Sequence, residues 1–341
     1  MRKFFVPVIG AFLMLSTANA QSNVPTSTYV ALPDFCPTPD AYDIAPDGSL
    51  TLSCPNFAEK NIPGAIVKIT ANKKVKLLTT LAGINNKGKG TPMGIAYGAD
   101  GGLYVCANQG KNRGRILKLT FKNDVLVKTE VVAKGLQAPN GIRYYKGVLY
   151  VTQPKLDKLS TKGKNVGGLY RFLSTDREVL VQNDKSDTQL IFSVATQNPN
   201  RPFGLDGLAL NSKGVLFVGD FGDAIIYKLT QDGNGAVTQH SVYVDLPDTV
   251  GADGIFFDAN DNLYVAGLLS NQVVRVAADR TVKVLAKFDD NDGSNGQIDQ
   301  PSDLIVYKGK LIISNFDLMT GPGIINTKHS KPYTLTQLDL P

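Results

Sequence analysis

Apolar residues along this chain occur in short runs that polar turn residues separate. Six segments share one pattern, in which a small polar or kinked start is followed by an apolar run, a tight turn and a second apolar run. The starts of the segments lie roughly 47 to 66 residues apart, which is the spacing of propeller blades rather than that of helical solenoids. The six segments begin at Pro39, Met93, Asn140, Asp206, Asp253 and Ser302.

Each segment is predicted to form a β-hairpin. The turn between its two apolar runs contains a dipeptide that tolerates the positive backbone angles of a tight hairpin turn. These dipeptides are Asp47-Gly48, Asp100-Gly101, Lys146-Gly147, Lys213-Gly214, Asn260-Asp261 and Lys308-Gly309.

Two further strand-like runs follow each hairpin, for example residues 65–69 with 75–81. Four strands per blade result. The last blade is one strand short, since residues 333–338 are its only clear third strand, while an unassigned strand-like run occupies residues 28–32. The sequence therefore predicts an all-β fold, a six-bladed β-propeller. Its N-terminal strand would close the ring by pairing with the last blade, which removes an open sheet edge.

The start of the chain has the layout of a cleavable signal peptide. Arg2 and Lys3 precede the apolar stretch 4–15, and Ala18-Asn19-Ala20 supplies the small residues of a cleavage site. That stretch is too short to span a bilayer, which takes about 20 residues. We therefore expect residues 1–20 to be removed and residues 21–341 to form one propeller domain. The mature protein is expected to be secreted or periplasmic and to have no membrane span.

The distribution of charge argues against a nucleic-acid partner. The formal net charge is +6, but Arg2 and Lys3 lie in the predicted signal peptide and the other basic residues are scattered.

Three cysteines in an exported protein indicate one disulfide and one free thiol. Cys36 and Cys54 are the favoured pair because they bracket one hairpin, and Cys54 with Cys106 is the alternative. No cysteine spacing resembles a zinc site.

Alignment of the six hairpins places one residue of each blade at the mouth of the central channel. These residues are Asp40, Met93, Asn140, Asp206, Asp253 and Ser302. Three carboxylates and an amide therefore converge on one axis. Like charges at such close range disfavour joint ionisation, so the group is expected to hold either protons or a cation. An all-oxygen set without His or Cys suits a hard cation, Ca²⁺ before Mg²⁺.

The blade order of these residues resembles the gluconolactonase and senescence-marker-protein (regucalcin) family of six-bladed calcium propellers. That family places its metal ligands on blades one, three, four and five, which here carry Asp40, Asn140, Asp206 and Asp253. The resemblance implies that these four residues bind Ca²⁺, or another divalent cation, and that Asp253 is also the catalytic base. The family usually has Glu on the first blade and Asn on the fourth. The shorter Asp40 would reach the ion either directly or through water.

The resemblance implies a Ca²⁺-dependent hydrolase whose partner is a small-molecule lactone or related ester. The ion would polarise the carbonyl while Asp253 activates water. A non-catalytic propeller that binds a ligand or a protein is the alternative, and a strictosidine-synthase-like activity is another, because fold does not settle function. The four site residues also have a structural interpretation, in which each caps the turn into the first strand.

The loops after the second strand of each blade are expected to shape the pocket, with a mixed apolar and amide lining that fits a small polar or aromatic substrate. Their residues are Asn56, Phe57, Asn108, Gln109, Gln153, Asp220, Phe221, Leu268, Asn315 and Phe316.

The two histidines, His240 and His329, are predicted on the surface, away from the axis. A quinoprotein sugar dehydrogenase, another six-bladed class, is expected to use a histidine base near its cofactor and is therefore disfavoured. The acidic stretch 289–293 misses the register of an EF-hand loop and is interpreted as a solvated connection.

Overall fold

The computed structural model of the chain describes residues 24–59 and 61–340. These residues form six sheets, and the innermost strands of successive sheets contact one another around a closed ring. The fold is the all-β, six-bladed propeller that the repeats predict. The predicted signal peptide, residues 1–20, lies outside the described residues, as do residues 21–23 of the predicted mature domain.

The first three blades follow the chain in order. Blade 1 contains β2 (Tyr42–Ile44), β3 (Leu50–Cys54), β4 (Gly64–Ile69) and β5 (Val75–Leu81). Blade 2 contains β6 (Thr91–Tyr97), β7 (Leu103–Asn108), β8 (Gly114–Lys122) and β9 (Val125–Leu136). Blade 3 contains β10 (Ile142–Tyr145), β11 (Val148–Gln153), β12 (Asn165–Leu173) and β14 (Leu190–Thr196).

The last three blades complete the ring. Blade 4 contains β15 (Leu205–Leu210), β16 (Leu216–Asp220), β17 (Ile225–Gln231) and β18 (Val237–Asp245). Blade 5 contains β19 (Ala252–Phe257), β20 (Leu263–Gly267), β21 (Gln272–Val276) and β22 (Val282–Lys287). Blade 6 contains β23 (Pro301–Tyr307), β24 (Lys310–Asn315), β25 (Thr334–Asp339) and the N-terminal β1 (Thr26–Ala31). Short 3-10 helices cover Ile84–Asn86, Leu268–Ser270 and Ser294–Gly296.

The N-terminal strand closes the ring, as predicted. It pairs antiparallel with β25, with Thr26 opposite Leu338 and Ala31 opposite Thr334. Its side chains also join the core, since Tyr29 is 8 % exposed. Blade 6 is therefore built from both ends of the described chain, which covers the edge of β25.

The predicted hairpin turns are confirmed. Gly48, Gly101, Gly147, Gly214 and Gly309 all adopt positive φ, and Asp261 does so in the turn that lacks glycine. Turn chemistry in the sequence therefore set the position of each hairpin.

The hydrophobic core lies between the blades. One cluster of buried apolar side chains occupies each of the six interfaces between neighbouring blades. Between blades 6 and 1, for example, Leu52 and Val67 pack in one cluster with Ile312 and Leu335. Because each blade buries its faces only against its neighbours, the ring is one domain.

Blade 2 has a fifth strand that the sequence analysis did not predict. This strand, β13 (Val179–Leu180), runs parallel to β9, with Val179 opposite Ala133. The segment between the last two strands of blade 3 thus fastens that blade to the outside of blade 2.

The favoured disulfide is confirmed. Cys36 and Cys54 are bonded, with 5.3 Å between their Cα atoms. Cys106 is a free, buried thiol, so the alternative pairing of Cys54 with Cys106 is wrong.

Within the described residues, no helix has the length and apolar character that crossing a membrane requires.

Candidate functional site

The four predicted ligand residues lie together at one end of the central channel. Asp40, Asn140, Asp206 and Asp253 all line a cavity of about 390 Å³ at this end. The same four residues also line a cavity of about 20 Å³ farther along the channel. They therefore form the boundary between the two cavities.

In four of the six blades, the first strand is irregular near the aligned residue of that blade. In β15, Leu205 pairs with Asp220 but Leu208 pairs with Val218, so one extra residue bulges out of the ladder at Asp206. The same shift occurs in β6, β19 and β23. A bulge frees its residue from strand pairing and redirects the side chain, which places these residues at the channel mouth.

Glycine follows the site residue in blades 2 to 5, at positions where the next blade comes very close. A Cβ atom on Gly207 would lie 2.1 Å from the carbonyl oxygen of Asp253, and one on Gly141 would lie 2.6 Å from that of Asp206. Any side chain there would push neighbouring site residues apart. The glycines therefore allow the aligned site residues to converge closely.

Backbone hydrogen bonds hold the site residues in place. The Asn140 amide donates to the carbonyl of Thr152 at 2.9 Å, and the Thr152 hydroxyl donates to the carbonyl of Asp206 at 2.5 Å. On the other side of the channel, the Ser314 hydroxyl donates to the carbonyl of Asp40 at 2.7 Å. Ser302, the blade 6 equivalent, is also structural, because its hydroxyl donates to the carbonyl of Pro39 at 2.9 Å.

The carboxylates themselves have no such partners. Asp40 and Asp206 are only 7 % and 8 % exposed, and Asp253 is half-buried. Within the described part of the chain, none of these three carboxylates accepts a hydrogen bond. The turn-capping interpretation is therefore wrong for the three aspartates, since a cap would bond to nearby backbone.

Burial and mutual repulsion strengthen the proton affinity of this group. Burial, followed by the charges of Asp303 and Asp220, raises the pKa of Asp206 to about 7. Burial, followed by the charge of Asp206, raises the pKa of both Asp40 and Asp253 well above the ordinary value. The site therefore favours either bound protons or a compensating cation.

Two charged residues of the channel were not predicted from the sequence. Arg143 and Asp303 line the smaller cavity together with the four site residues. Each lies close after an aligned hairpin position, Asn140 and Ser302 respectively. A charged side chain inside an otherwise apolar first strand was the signal that could have found them.

The walls of the larger cavity are mostly apolar. Two edge-to-face aromatic pairs contribute, Phe57 with Phe316 and Phe203 with Phe221, whose ring centroids lie 6.2 and 6.1 Å apart. Because the first pair belongs to blades 1 and 6 and the second lies beside blade 4, the pairs face each other across the ring. The remaining lining residues are Met93, Asn108, Gly110, Lys111, Gln137, Ala138, Pro154, Lys155, Leu268 and Met319.

The mixed lining that the sequence predicts needs a correction. The aromatic and aliphatic members of the predicted loops line the cavity, but most of the polar members turn inward and brace the loops. Asn56 donates to the carbonyl of Phe35 at 3.3 Å, Gln153 accepts from the Ala138 amide at 2.9 Å, and Asn315 accepts from the Asp299 amide at 3.1 Å. The cavity is therefore more apolar than the sequence analysis predicts.

The histidines lie where the sequence analysis places them. His240 is exposed on β18 and packs against Phe192 at 5.1 Å between ring centroids, while His329 is exposed in a loop. Neither histidine lines the cavity at the channel mouth.

Within residues 24–59 and 61–340, no group of three or more His, Cys, Asp or Glu side chains is gathered closely enough to form a ready metal site. The aspartates of the channel are near enough to shift one another's pKa values. An ion would therefore have to draw their side chains inward around it.

Comparisons with known proteins bear on the fold. No family model and no curated protein matches the chain. Solved structures do match. A gluconolactonase from Xanthomonas campestris superposes with a TM-score of 0.60 at 15% identity, covering 96% of this chain and 99% of that one.

Two further solved structures cover nearly the whole chain. A calcium-binding regucalcin from Agrobacterium tumefaciens gives a TM-score of 0.61 at 13% identity, covering 92% of this chain and 93% of the other. A PQQ-bound aldose sugar dehydrogenase from Streptomyces coelicolor gives 0.56 at 15% identity, covering 94% and 98%. The resemblance to gluconolactonase and regucalcin propellers is thus confirmed as a likeness of fold. The dehydrogenase shows that this fold also carries other chemistry.

Proposed function

We propose that this chain is an exported, Ca²⁺-dependent hydrolase of lactones or related esters. The observation that carries the proposal is the convergence of three hydrogen-bond-free aspartates and one asparagine at the floor of a single cavity. Buried carboxylates without partners are costly, so a set of them at a cavity floor indicates a bound cation.

The donor chemistry fits Ca²⁺. Asp40, Asn140, Asp206 and Asp253 offer only oxygen atoms, and these four residues would hold the ion. Oxygen ligands select hard cations, and Ca²⁺ tolerates the irregular, partly water-filled coordination that four protein ligands allow. When bound, the ion would act as a Lewis acid on the substrate carbonyl.

Asp253 is proposed as the general base because it is the most accessible of the three carboxylates and faces the larger cavity. It would take a proton from water as the water oxygen bonds to the acyl carbon. The acyl carbon–oxygen bond then breaks, and the departing oxygen takes the proton back from Asp253.

The cavity favours substrates with an apolar or aromatic body. Phe57, Phe203, Phe221 and Phe316 supply ring surfaces around a volume of about 390 Å³, which suits a small molecule. Lys111 and Lys155 also line it and would attract the carboxylate that ester hydrolysis releases. We therefore propose hydrophobic lactones or aryl esters ahead of sugar lactones.

Two features support export. Residues 1–20 have the layout of a signal peptide. The Cys36–Cys54 disulfide suits an oxidising compartment, because structural disulfides are rare in the cytosol.

Metal analysis combined with a substrate panel tests the proposal. The purified protein should contain a tightly bound divalent ion, and it should hydrolyse aliphatic lactones or aryl esters. EDTA should abolish hydrolysis and added Ca²⁺ should restore it. A protein that binds no divalent ion, or that binds panel compounds without turnover, would instead support a ligand-binding propeller.

A further inference from the structure

A second group of acidic residues lies away from the channel mouth, where the connection from β24 to β25 packs on the linker before β23. Asp317 belongs to the connection and Asp299 to the linker. Their carboxyl groups lie close together, since burial and then the neighbouring charge of Asp317 are the two largest causes that raise the pKa of Asp299. The proposed ester hydrolysis uses neither residue.

Several polar atoms here are buried without partners. Asp299 is 0 % exposed and both of its carboxylate oxygens lack a hydrogen bond. Asn326 is 1 % exposed, and its Oδ1 also has no partner. Leaving such atoms unsatisfied costs about 1 to 3 kcal/mol each, and more for charged groups.

Hydrogen bonds aim these groups at one another. The Asn326 amide nitrogen donates to Asp317 Oδ1 at 3.0 Å, and the Ser330 amide donates to Asp317 Oδ2 at 2.6 Å. The Asn326 side chain therefore lies against the carboxyl pair while its oxygen is unused. Asp290 and Asp292 add negative charge nearby, since both raise the pKa of Asp299.

We propose that Asp299, Asp317 and Asn326 form a second divalent-cation site, with Ca²⁺ as the favoured ion. Two carboxylates and an amide oxygen are hard donors that Ca²⁺ prefers, and water would complete the coordination. The unpartnered oxygens of Asp299 and Asn326 would gain a ligand, and the repulsion between the two aspartates would be relieved.

The site would fasten one wall of the larger cavity. Phe316 and Met319, which line that cavity, flank Asp317 in the chain. Gln300, next to Asp299, holds the same segment, because its carbonyl accepts from the Phe316 amide at 2.9 Å and its Oε1 accepts from the Met319 amide at 2.7 Å. An ion between Asp299 and Asp317 would therefore fix the connection at its base.

Calcium stoichiometry on chelator-treated protein tests the proposal. The Asp206→Asn/Asp253→Asn variant, which weakens the channel site, should still bind one Ca²⁺ per chain and melt at a higher temperature with Ca²⁺ than without it. Addition of Asp299→Asn or Asn326→Ala to this double variant should abolish both the Ca²⁺ binding and the rise in melting temperature that Ca²⁺ causes. Asp232, which is exposed between β17 and β18 of blade 4, provides the control, since Asp232→Asn should leave both the bound ion and the melting-temperature shift unchanged.

Terbium luminescence locates the ion. The chain contains no Trp, and Tyr333 is buried near Asp317 and Asp299, because burial and then the charges of these and a third carboxylate raise its pKa. Excitation of tyrosine should therefore sensitise bound Tb³⁺. The Tyr333→Phe change, which removes a hydroxyl that lacks a partner, should reduce this emission without changing Ca²⁺ stoichiometry.

The proposal is overturned if the channel variant binds no Ca²⁺. It is also overturned if Asp299→Asn raises the melting temperature equally with and without Ca²⁺, because the two aspartates would then share a proton instead of an ion. These results are independent of the proposed hydrolase, which fails only if the wild type shows no chelator-sensitive hydrolysis.

Discussion

The guanidinium of Arg143 on blade 3 and the carboxylate of Asp303 on blade 6 face each other across the central channel, with 3.7 Å between Nη2 and Oδ1. The other carboxylate oxygen of Asp303 accepts from the Tyr42 amide at 3.2 Å. Arg143 is the one basic residue among those that line the smaller cavity. The pair therefore links opposite sides of the ring beside the four predicted ligand residues.

Removal of Arg143 should destabilise the fold. The Arg143→Met variant leaves the Asp303 carboxylate buried and unpaired, and such a loss costs about 3 kcal/mol. Urea denaturation at neutral pH would measure the change. Addition of Asp303→Asn to this variant should recover much of the stability, since the unpaired charge is then gone. Equal stability of wild type and Arg143→Met would show that the pair contributes nothing.

Asp253 and Asn140 should separate catalysis from ion binding. Asp253→Asn retains an oxygen ligand and nearly the same volume but removes the base, so much of the Ca²⁺ affinity should remain while hydrolysis falls about 10²-fold or more. Asn140→Ala removes one ligand oxygen without touching the base. Its rate should therefore recover in part as Ca²⁺ is raised.

Steady-state rates across a Ca²⁺ titration, with calorimetric measurement of Ca²⁺ binding, would check both variants. Full activity of Asp253→Asn on a substrate that the wild type hydrolyses would rule out this residue as the base.

The fold should lose stability as the pH rises past the titration of Asp220. Burial raises the pKa of this residue from 3.8 to about 6. Hydrogen bonds from the Asp223 amide and the Thr196 hydroxyl lower the pKa and offset only part of this shift. The folded state thus holds the proton more tightly than the unfolded state. Its contribution is present below about pH 4 and is lost by about pH 6, a difference of about 3 kcal/mol.

Asp220→Asn isolates this effect. The amide oxygen can still accept from Asp223, and the Thr196 hydroxyl can accept from the amide nitrogen instead of donating. At pH 4 the free energy of unfolding of the variant should equal that of the wild type. At pH 7.5 it should be higher than that of the wild type. A wild type whose stability relative to Asp220→Asn does not change with pH would contradict the assignment.

Deletion of the N-terminal strand should destabilise the whole ring. A chain that lacks residues 21–32 exposes the edge of β25 and loses the buried Tyr29 and Leu32. Its melting temperature should fall by about 5 to 10 °C, since several kcal/mol of stability are removed from a domain of this size. A chain that begins at Val24 keeps the strand and is the control. If the two melt together, the ring is closed by other contacts.

Local signals explain why so much of the fold could be predicted from the sequence. A hairpin is encoded by a turn dipeptide between two apolar runs, so the positions of Gly48 and Gly214 could be predicted from short stretches of sequence. The repeat also allowed the site to be predicted. Because equivalent residues of a closed ring occupy equivalent places, alignment alone brought Asp40, Asn140 and Asp253 to one cavity.

Features that break the repeat could not be predicted in this way. Arg143 and Asp303 pair across the ring from non-equivalent positions, and β13 crosses from one blade to another. Phe203 belongs to the linker between β14 and β15, which lies outside the aligned hairpins. In the loop dipeptide Asn56-Phe57, the choice of which side chain faces the cavity depends on a distant partner, the carbonyl of Phe35.

Strand β1 is made first and its partner β25 last, so the order of synthesis matters for this molecule. Until Thr334–Asp339 emerges, residues 26–31 have no strand to pair with, and blade 1 has no neighbour to cover its Leu52 and Val67. Contacts of such long sequence separation form slowly. Throughout its synthesis, the chain therefore exposes the unpaired edge of β1 and the uncovered apolar face of blade 1 to other chains. The pairing of β1 with β25 is the step that removes this tendency to aggregate.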